Sequence, residues 1–539
     1  MAPKKRQRKQ PAWAEIADEA RAHRDATVAE IKNKEDLDFD PSPLVSLPPE
    51  DIIRSTTSGS SGYTARQVVE AFLTSAAAAQ QQVNCLTELL ASRARDRADA
   101  LDVSFRASGP TGPLHGIPIS VKSHIGIAGR HMPSGYAALW HKVPSRDALV
   151  VRILEQAGAV VHARTTEPQS MMQLECVSNL YGTTLNPYNK NMSSGGSSGG
   201  EAALIALGGS PLGIGSDVGG SIRVPAAACG IYGLKPTANR VPTTGWSSTP
   251  PGADPIQTVL GPMSNSLTGI DMFMRAVLAA EPWIEEPVLV PLPWRDVELV
   301  PSSNRPLRIG IMWHDAVVLP HPPITRAMEE LARKLKLVPN LQVVDFPAYK
   351  HDEAWAIVSS LYFTDGGKAD RDMMAATGEP MMPLTEWIMG NPGVKNLSRE
   401  ELEYWLEERE EYRLEYAKAW NETGKWDEKT SRWTEVVDAV ICPVGPGTAN
   451  WHGTAKYWTY SAVWNLLDYP ALAFPAGKVD KMVDTLPERS SYMSDSDEEN
   501  WQLYDPNQFD SMPVGLQLVG RRFDDEKIVS ILRYILAQS

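Results

Sequence analysis

Residues 195–223 read GGSSGGEAALIALGGSPLGIGSDVGGSIR, and this stretch carries both a structural rhythm and a chemistry. Two glycine-wrapped serine sites, Ser197 with Ser198 and then Ser221, flank an apolar run at 202–207 that starts a helix and a run at 211–215 that reads as a buried strand. Glycine adopts positive φ freely and lets a ligand approach the main chain, so a serine set among glycines is exposed and surrounded by N–H donors. Such a serine is a candidate nucleophile. Working outward, residues 117–122 form a short β-branched run opened by Gly116 and ended by charge, which places Lys122 at the end of a buried strand. Residues 148–158 have helical spacing and 159–163 read as another buried strand. This strand, helix, strand order predicts an α/β core.

The same reading extends over the rest of the chain. Residues 65–102 predict one or two long helices, rich in Ala, Leu, Gln, Arg and Glu with few breakers. Residues 245–306 are dense in Pro and Gly and are expected to wrap the surface. Strands at 307–312 and 341–346 enclose a helix at 323–337, and helices follow at about 351–377 and 399–420. The charged run at 401–416 predicts a solvated helix face with i,i+4 pairs. Strands at 439–442, 471–474 and 514–519, then a helix from Asp524, return the chain to the sheet. The expected division is an N-terminal arm and leading helix at 1–64 and one large domain at 65–539, with core motifs at 112–237, a helical insertion at about 350–425 and C-terminal strands at 438–539. The polar stretch 488–511, with Asp495, Asp497, Glu498 and Glu499, is expected to be an exposed loop.

Composition excludes several classes of function. With 539 residues, 42% of them hydrophobic, there is material for a large core. A net charge of −14 and the absence of a basic stripe argue against nucleic acid as a partner. Cys85, Cys176, Cys229 and Cys442 match no metal-ligand spacing and are too sparse for a disulfide scaffold, which fits a reducing, cytoplasmic setting. No apolar run reaches the ~18 residues of a spanning helix, and no apolar segment follows the N-terminal charges as a secretory signal requires, so stable membrane insertion is not expected. The basic residues between Lys4 and Lys9 read as a solvated terminus in preference to a nuclear-import patch.

Three readings compete for the Gly/Ser segment. A flexible linker is disfavoured because the run is short and passes directly into a helix start. A phosphate-binding loop lacks the Gly-Lys-Ser/Thr that should follow, and Val218 stands where a third glycine would belong. The third reading is acyl transfer. Gly195 to Gly199 formally fits a G-x-S-x-G elbow, for which His452 is the only histidine left in the C-terminal third, and that version predicts that His452→Ala abolishes activity while Lys122→Ala spares it. Ser221 discriminates better, because the successive N–H groups of Val218, Gly219, Gly220 and Ser221 can converge on one oxygen as an oxyanion hole.

Four ordered blocks then carry a resemblance: Gly112 through Lys122, Gly195 through Gly200, Gly215 through Pro225, and Gly233-Leu234-Lys235-Pro236-Thr237. The chain resembles the amidase signature family, most closely its fungal acetamidase and general amidase members, and it is also similar to fatty-acid amide hydrolase. That similarity includes Asn186-Pro187, Glu281-Pro282-Trp283, the residues 319–323, Asn465-Leu466-Leu467-Asp468 and the residues 517–522. The resemblance implies a large mixed β-sheet covered by helices on both faces, in a single domain with helical insertions. It implies Ser221 as nucleophile, Ser197 as a bridging serine on a cis peptide, and Lys122 as base. Ser198 would support this network, while Asp217 and Arg223 would hold the oxyanion loop as a charged pair. Met171, with Met172, would line the acyl pocket beside Ser197, with Tyr136, Tyr362 and Trp464 in the neighbourhood. Lys235 is expected to be structural. A metal-free, cofactor-free hydrolase of small-molecule amides is expected, and a homodimer is compatible with it. Rival expectations are an ammonia-supplying subunit of an amidotransferase complex, an esterase using the same site, and a catalytically dead binding protein.

Overall fold

Eleven strands form one mixed sheet in the computed structural model, which describes residues 12–31, 37–59, 62–247 and 255–538. In chain order they are β1 (Leu86–Leu89), β2 (Pro118–Lys122), β3 (Val160–Thr165), β4 (Leu212–Asp217), β5 (Tyr232–Lys235), β6 (Val259–Ser264), β7 (Leu307–Ile311), β8 (Leu341–Asp345), β9 (Ala439–Pro443), β10 (Ala471–Lys478) and β11 (Pro513–Val519). Their order across the sheet is β1-β3-β2-β4-β6-β5-β10-β11-β9-β7-β8. The pairs β3/β2, β2/β4, β9/β7 and β7/β8 are parallel, and the other neighbours are antiparallel.

Both faces of the sheet are covered, which explains why its strands read as apolar runs and not as alternating ones. Successive residues of a strand point to opposite faces. Ala439 and Ile441 accordingly belong to one buried cluster, and their neighbours Val440 and Cys442 to another. Helices Leu267–Ala279, Pro322–Leu335 and Asp525–Gln538 pack on strands of the sheet, as does Ala65–Val83. The last of these begins at a capping box: Thr64 Oγ1 accepts the Gln67 N–H at 3.1 Å while Gln67 Oε1 accepts the Thr64 N–H at 3.0 Å. Ser398 and Glu401 repeat the device at the start of Arg399–Asn421. That helix buries one stripe, Tyr412, Tyr416 and Trp420, at i, i+4 and i+8, and leaves most of its charges to solvent, while Arg409 and Arg413 turn inward to the Pro255 and Leu466 carbonyls.

Two expectations need correction, and a third gains an unforeseen strand. The 65–102 stretch is two helices with the short strand β1 between them. The 245–306 segment does not simply wrap the surface, because β6 lies between β4 and β5 in the middle of the sheet and is followed by the helix Leu267–Ala279. Pro262 and Gly261 inside that strand imitate loop composition. The polar stretch at 488–511 contains a helix, Asp495–Gln502, and Asp497 is fully buried, where it accepts from Arg489 and from the N–H groups of Leu319 and Met493. The basic N-terminal residues lie outside the described residues. Among the described residues no helix is long and apolar enough to cross a membrane.

Candidate active site

Lys122 ends β2, a strand whose five residues are all buried, and its side chain is fully enclosed. Parallel pairing sets Val121 of β2 opposite Ile214 of β4, so the two strands terminate on the same side of the sheet. There Lys122 Nζ lies 2.6 Å from Ser197 Oγ and 3.0 Å from Ser216 Oγ. Among the described residues no carboxylate pairs with it. Burial pushes this amine down to about 8, against the opposing pull of Glu167. An amine in that range gives and takes a proton near neutral pH, which an ordinary exposed lysine does not.

Ser197 and Ser198 sit in the turn that enters helix Gly199–Ala206, and the Gly196–Ser197 peptide is cis. Space dictates the glycine: a Cβ at Gly196 would fall 2.4 Å from the Glu175 carbonyl oxygen. Ser198 ties this turn to the loop after β4. Its N–H donates to the Ser221 carbonyl at 3.0 Å, its hydroxyl donates to the Ser216 carbonyl at 3.3 Å, and it accepts the Ser216 N–H at 3.3 Å. Ser198 thereby joins the two serine turns.

Asp217, the last residue of β4, organises the following loop. Its carboxylate accepts the N–H groups of Gly220 at 2.9 Å and Ile222 at 3.0 Å. It also accepts a fork from Arg223, Nε at 3.0 Å and Nη2 at 2.9 Å, and a further bond from Asn465 Nδ2 at 3.0 Å. Arg223 in turn donates to Asn465 Oδ1, Gln517 Oε1 and the Ser461 carbonyl. Burial alone would raise the Asp217 carboxyl, but the Arg223 guanidinium overrides it and holds the group well below the usual carboxylate range. The loop's carbonyls are fixed as well: the Tyr362 hydroxyl donates to Val218 at 3.0 Å and the Ser461 hydroxyl to Gly219 at 2.6 Å. Gly220 has a φ of +128°, and a Cβ there would meet Ser461 Oγ at 2.3 Å.

This narrows the expected oxyanion hole. The Gly220 amide is committed to Asp217, so Val218, Gly219 and Ser221 remain as the N–H groups without a protein acceptor among the described residues. A cavity of about 60 Å³ opens beside them, lined by Ser197, Ser216, Val218 and Ser221 together with His124, Ser170, Met171, Met172, Trp246, Ser247 and Thr258. Met171 and Met172 are among the residues that line it. Tyr362 touches the site through Val218, whereas the Tyr136 hydroxyl bonds to Asp370 and Trp464 packs against Tyr416 in an aromatic cluster. His452 does not line the cavity: its ring bonds to Glu175 Oε1 at 2.7 Å and to the Lys190 carbonyl at 3.1 Å. Lys235 is buried and bonds to the Pro236 carbonyl at 3.2 Å.

Local reading missed Ser216, Ser461, Asn465, Gln517 and His124. Asn465 and Gln517 did stand in the late blocks quoted above, but nothing local showed that both would close on Arg223. Among the described residues no group of three or more His, Cys, Asp or Glu side chains is arranged to hold a metal ion. Taken together, the site can pass a proton between a serine hydroxyl and an amine, and can hold an oxygen anion against main-chain amides.

The amidase family model matches residues 67–529. An acetamidase of Emericella nidulans is 36% identical over 87% of this chain and 85% of its own length. Amidase 1 of Gibberella moniliformis is 35% identical over 96% of this chain and 97% of its own. Among solved structures, a fatty acid amide hydrolase superimposes with a TM-score of 0.87 at 30% identity, covering 98% of this chain and 94% of that one. These likenesses run through the sheet, the serine turns and the strand that carries Lys122, and the chain belongs to the amidase signature family, whose members are hydrolases acting on amides.

Proposed function

We propose that this protein hydrolyses small carboxamides to a carboxylate and ammonia or an amine through an acyl-enzyme on Ser221. The observation that carries the reading is the 2.6 Å contact between Lys122 Nζ and Ser197 Oγ, in a site where Ser197 and Ser221 line the same cavity. Neutral Lys122 takes the Ser197 proton as Ser197 takes that of Ser221, and Ser221 Oγ attacks the carbonyl carbon. The oxyanion rests on the amides of Val218, Gly219 and Ser221. The relay then returns the proton to the leaving nitrogen, the C–N bond breaks, and water repeats the sequence on the ester to release the acid.

The acetamidase name of two relatives supports a short acyl group over a long one. The relay calls for no cofactor. The division at residue 65, with a helical insertion at about 350–425 that supplies Tyr362 to the oxyanion loop, and action in the cytoplasm as a monomer or homodimer complete the reading. Trapping with a fluorophosphonate followed by peptide mapping tests it: the label is expected on Ser221, and label on Ser198, or none, overturns the mechanism.

A further inference from the structure

The relay leaves one polar side chain in the cavity wall unused. His124 lies two residues beyond Lys122, is 1% exposed, and lines the cavity that holds Ser197 and Ser221. Its Nδ1 is 2.9 Å from Glu167 Oε2, and its own main-chain N–H donates to the same oxygen at 3.1 Å. The other carboxylate oxygen accepts the Ser123 hydroxyl at 2.7 Å. Trp246 packs beside the imidazole, the ring centroids 5.9 Å apart. Among the described residues nothing bonds to Nε2.

The state of this pair follows from its surroundings. Burial would raise the Glu167 carboxyl, but His124 and Lys122 override it and keep it ionised. Burial lowers the His124 imidazole against the pull of Glu167, so the ring is neutral. A neutral imidazole beside a carboxylate carries its proton on the nitrogen facing that carboxylate, here Nδ1. Nε2 is then a lone-pair acceptor without a donor, held rigidly in the wall of the cavity. An acceptor fixed in the wall of a binding cavity favours ligands that bring the matching donor over those that leave it unpaired on binding.

We infer that His124 is a specificity-determining residue whose Nε2 accepts a hydrogen bond from an O–H or N–H donor on the acyl part of the substrate, selecting short carboxamides with a hydroxyl or amino group near the carbonyl. The inference rests on the amidase reading and names the substrate class of that same site. The acyl side is indicated because His124 shares the cavity wall with Met171 and Met172, which the amidase reading places at the acyl group. Closeness to the carbonyl is indicated because His124 lines the same cavity as Ser197 and Ser221.

Lactamide and isobutyramide, which differ by hydroxyl against methyl on the carbon next to the carbonyl, test this directly. The wild-type protein is expected to favour lactamide by about tenfold or more in kcat/KM. His124→Asn keeps an amide nitrogen in the place of Nδ1 for Glu167 but has nothing at the place of Nε2, and should bring the ratio to about one, chiefly through KM for lactamide. His124→Gln, whose amide reaches the Nε2 position, should recover part of the preference. A wild-type ratio near one, or the wild-type ratio persisting in a folded His124→Asn protein, overturns the inference. So does a protein that takes the fluorophosphonate label on Ser221 yet consumes neither amide, a result that leaves the amidase reading standing; absence of label fails that reading itself.

Discussion

Lys122 and Arg223 are both fully buried cations at the ends of neighbouring segments of one site, and they are treated in opposite ways. Arg223 is given a carboxylate in a two-point fork, then three further acceptors from Ser461, Asn465 and Gln517. Lys122 is given two serine hydroxyls and no carboxylate partner. Pairing keeps a buried charge and makes it part of the scaffold, while withholding the partner makes the charge expendable and the group a proton carrier. A guanidinium suits the first task because it does not deprotonate in proteins and its planar fork matches a carboxylate. A primary amine suits the second because its protonation yields readily to its surroundings.

The largest effect should come from removing the amine to which the proposed relay passes its proton. Lys122→Met keeps the volume and the strand but leaves Ser197 without a base, and kcat should fall by about 10³- to 10⁴-fold. In the wild-type protein, kcat/KM should rise about tenfold per pH unit below the Lys122 value of about 8 and level off above it, because only the neutral amine accepts a proton. Stopped or continuous assays of ammonia release across pH measure both. A flat profile through this range, or a Lys122→Met protein with near-normal kcat, would break the comparison at its catalytic end.

The scaffold end is tested by Asp217→Asn. This variant leaves the Arg223 charge buried without its carboxylate, which should cost about 3–5 kcal/mol of folding stability, read from denaturant or thermal unfolding. The double variant Asp217→Asn with Arg223→Met removes the stranded charge and should regain part of the stability. It should not regain the activity, since the carboxamide keeps one oxygen and one of the Gly220 and Ile222 amides loses the acceptor that shapes the loop. A single variant as stable as the wild type would show that Asp217 is not what holds Arg223 in the fold.

How much of this was legible depends on how local the cause is. Glycine runs and a short buried strand are local patterns that made Ser197, Ser221 and Lys122 candidates, but only the resemblance to the amidase signature family implied that they act together; the structure brings Lys122 and Ser197 into hydrogen-bond contact beside the cavity that Ser221 lines. Strand β6 escaped because Gly261 and Pro262 look like loop residues, and only pairing with β4 and β5 makes them a strand. The scaffold around Arg223 escaped for a different reason: Asn465 and Gln517 lie 242 and 294 residues away, and no periodicity connects them to the loop. The commitment of the Gly220 amide to Asp217 was equally invisible, since composition shows that an N–H exists and not where it points. His124 and Glu167 are two further single residues whose pairing is a fact of tertiary structure alone.

The smallest effect is the one that separates the two cations most directly, since it depends on the amine's burial and not on catalysis. The Lys122 amine sits at about 8 in the fold against 10.5 when unperturbed. Below about pH 8 the amine is protonated in both folded and unfolded chains, and its full cost to the fold, on the order of 3 kcal/mol, is present. Between about 8 and 10.5 the unfolded chain binds more protons than the folded one, so stability rises with pH and the cost disappears. Lys122→Met carries no such charge. Its stability advantage over the wild type should therefore shrink by about 2 kcal/mol when unfolding is compared at about pH 7 and about pH 9.5, whatever fixed penalty the lost serine contacts add. Arg223→Met should show no corresponding change over the same range, because a guanidinium stays protonated throughout. Equal pH dependence in the two variants would mean that Lys122 is a paired cation like Arg223, and that the proton the relay requires is held elsewhere.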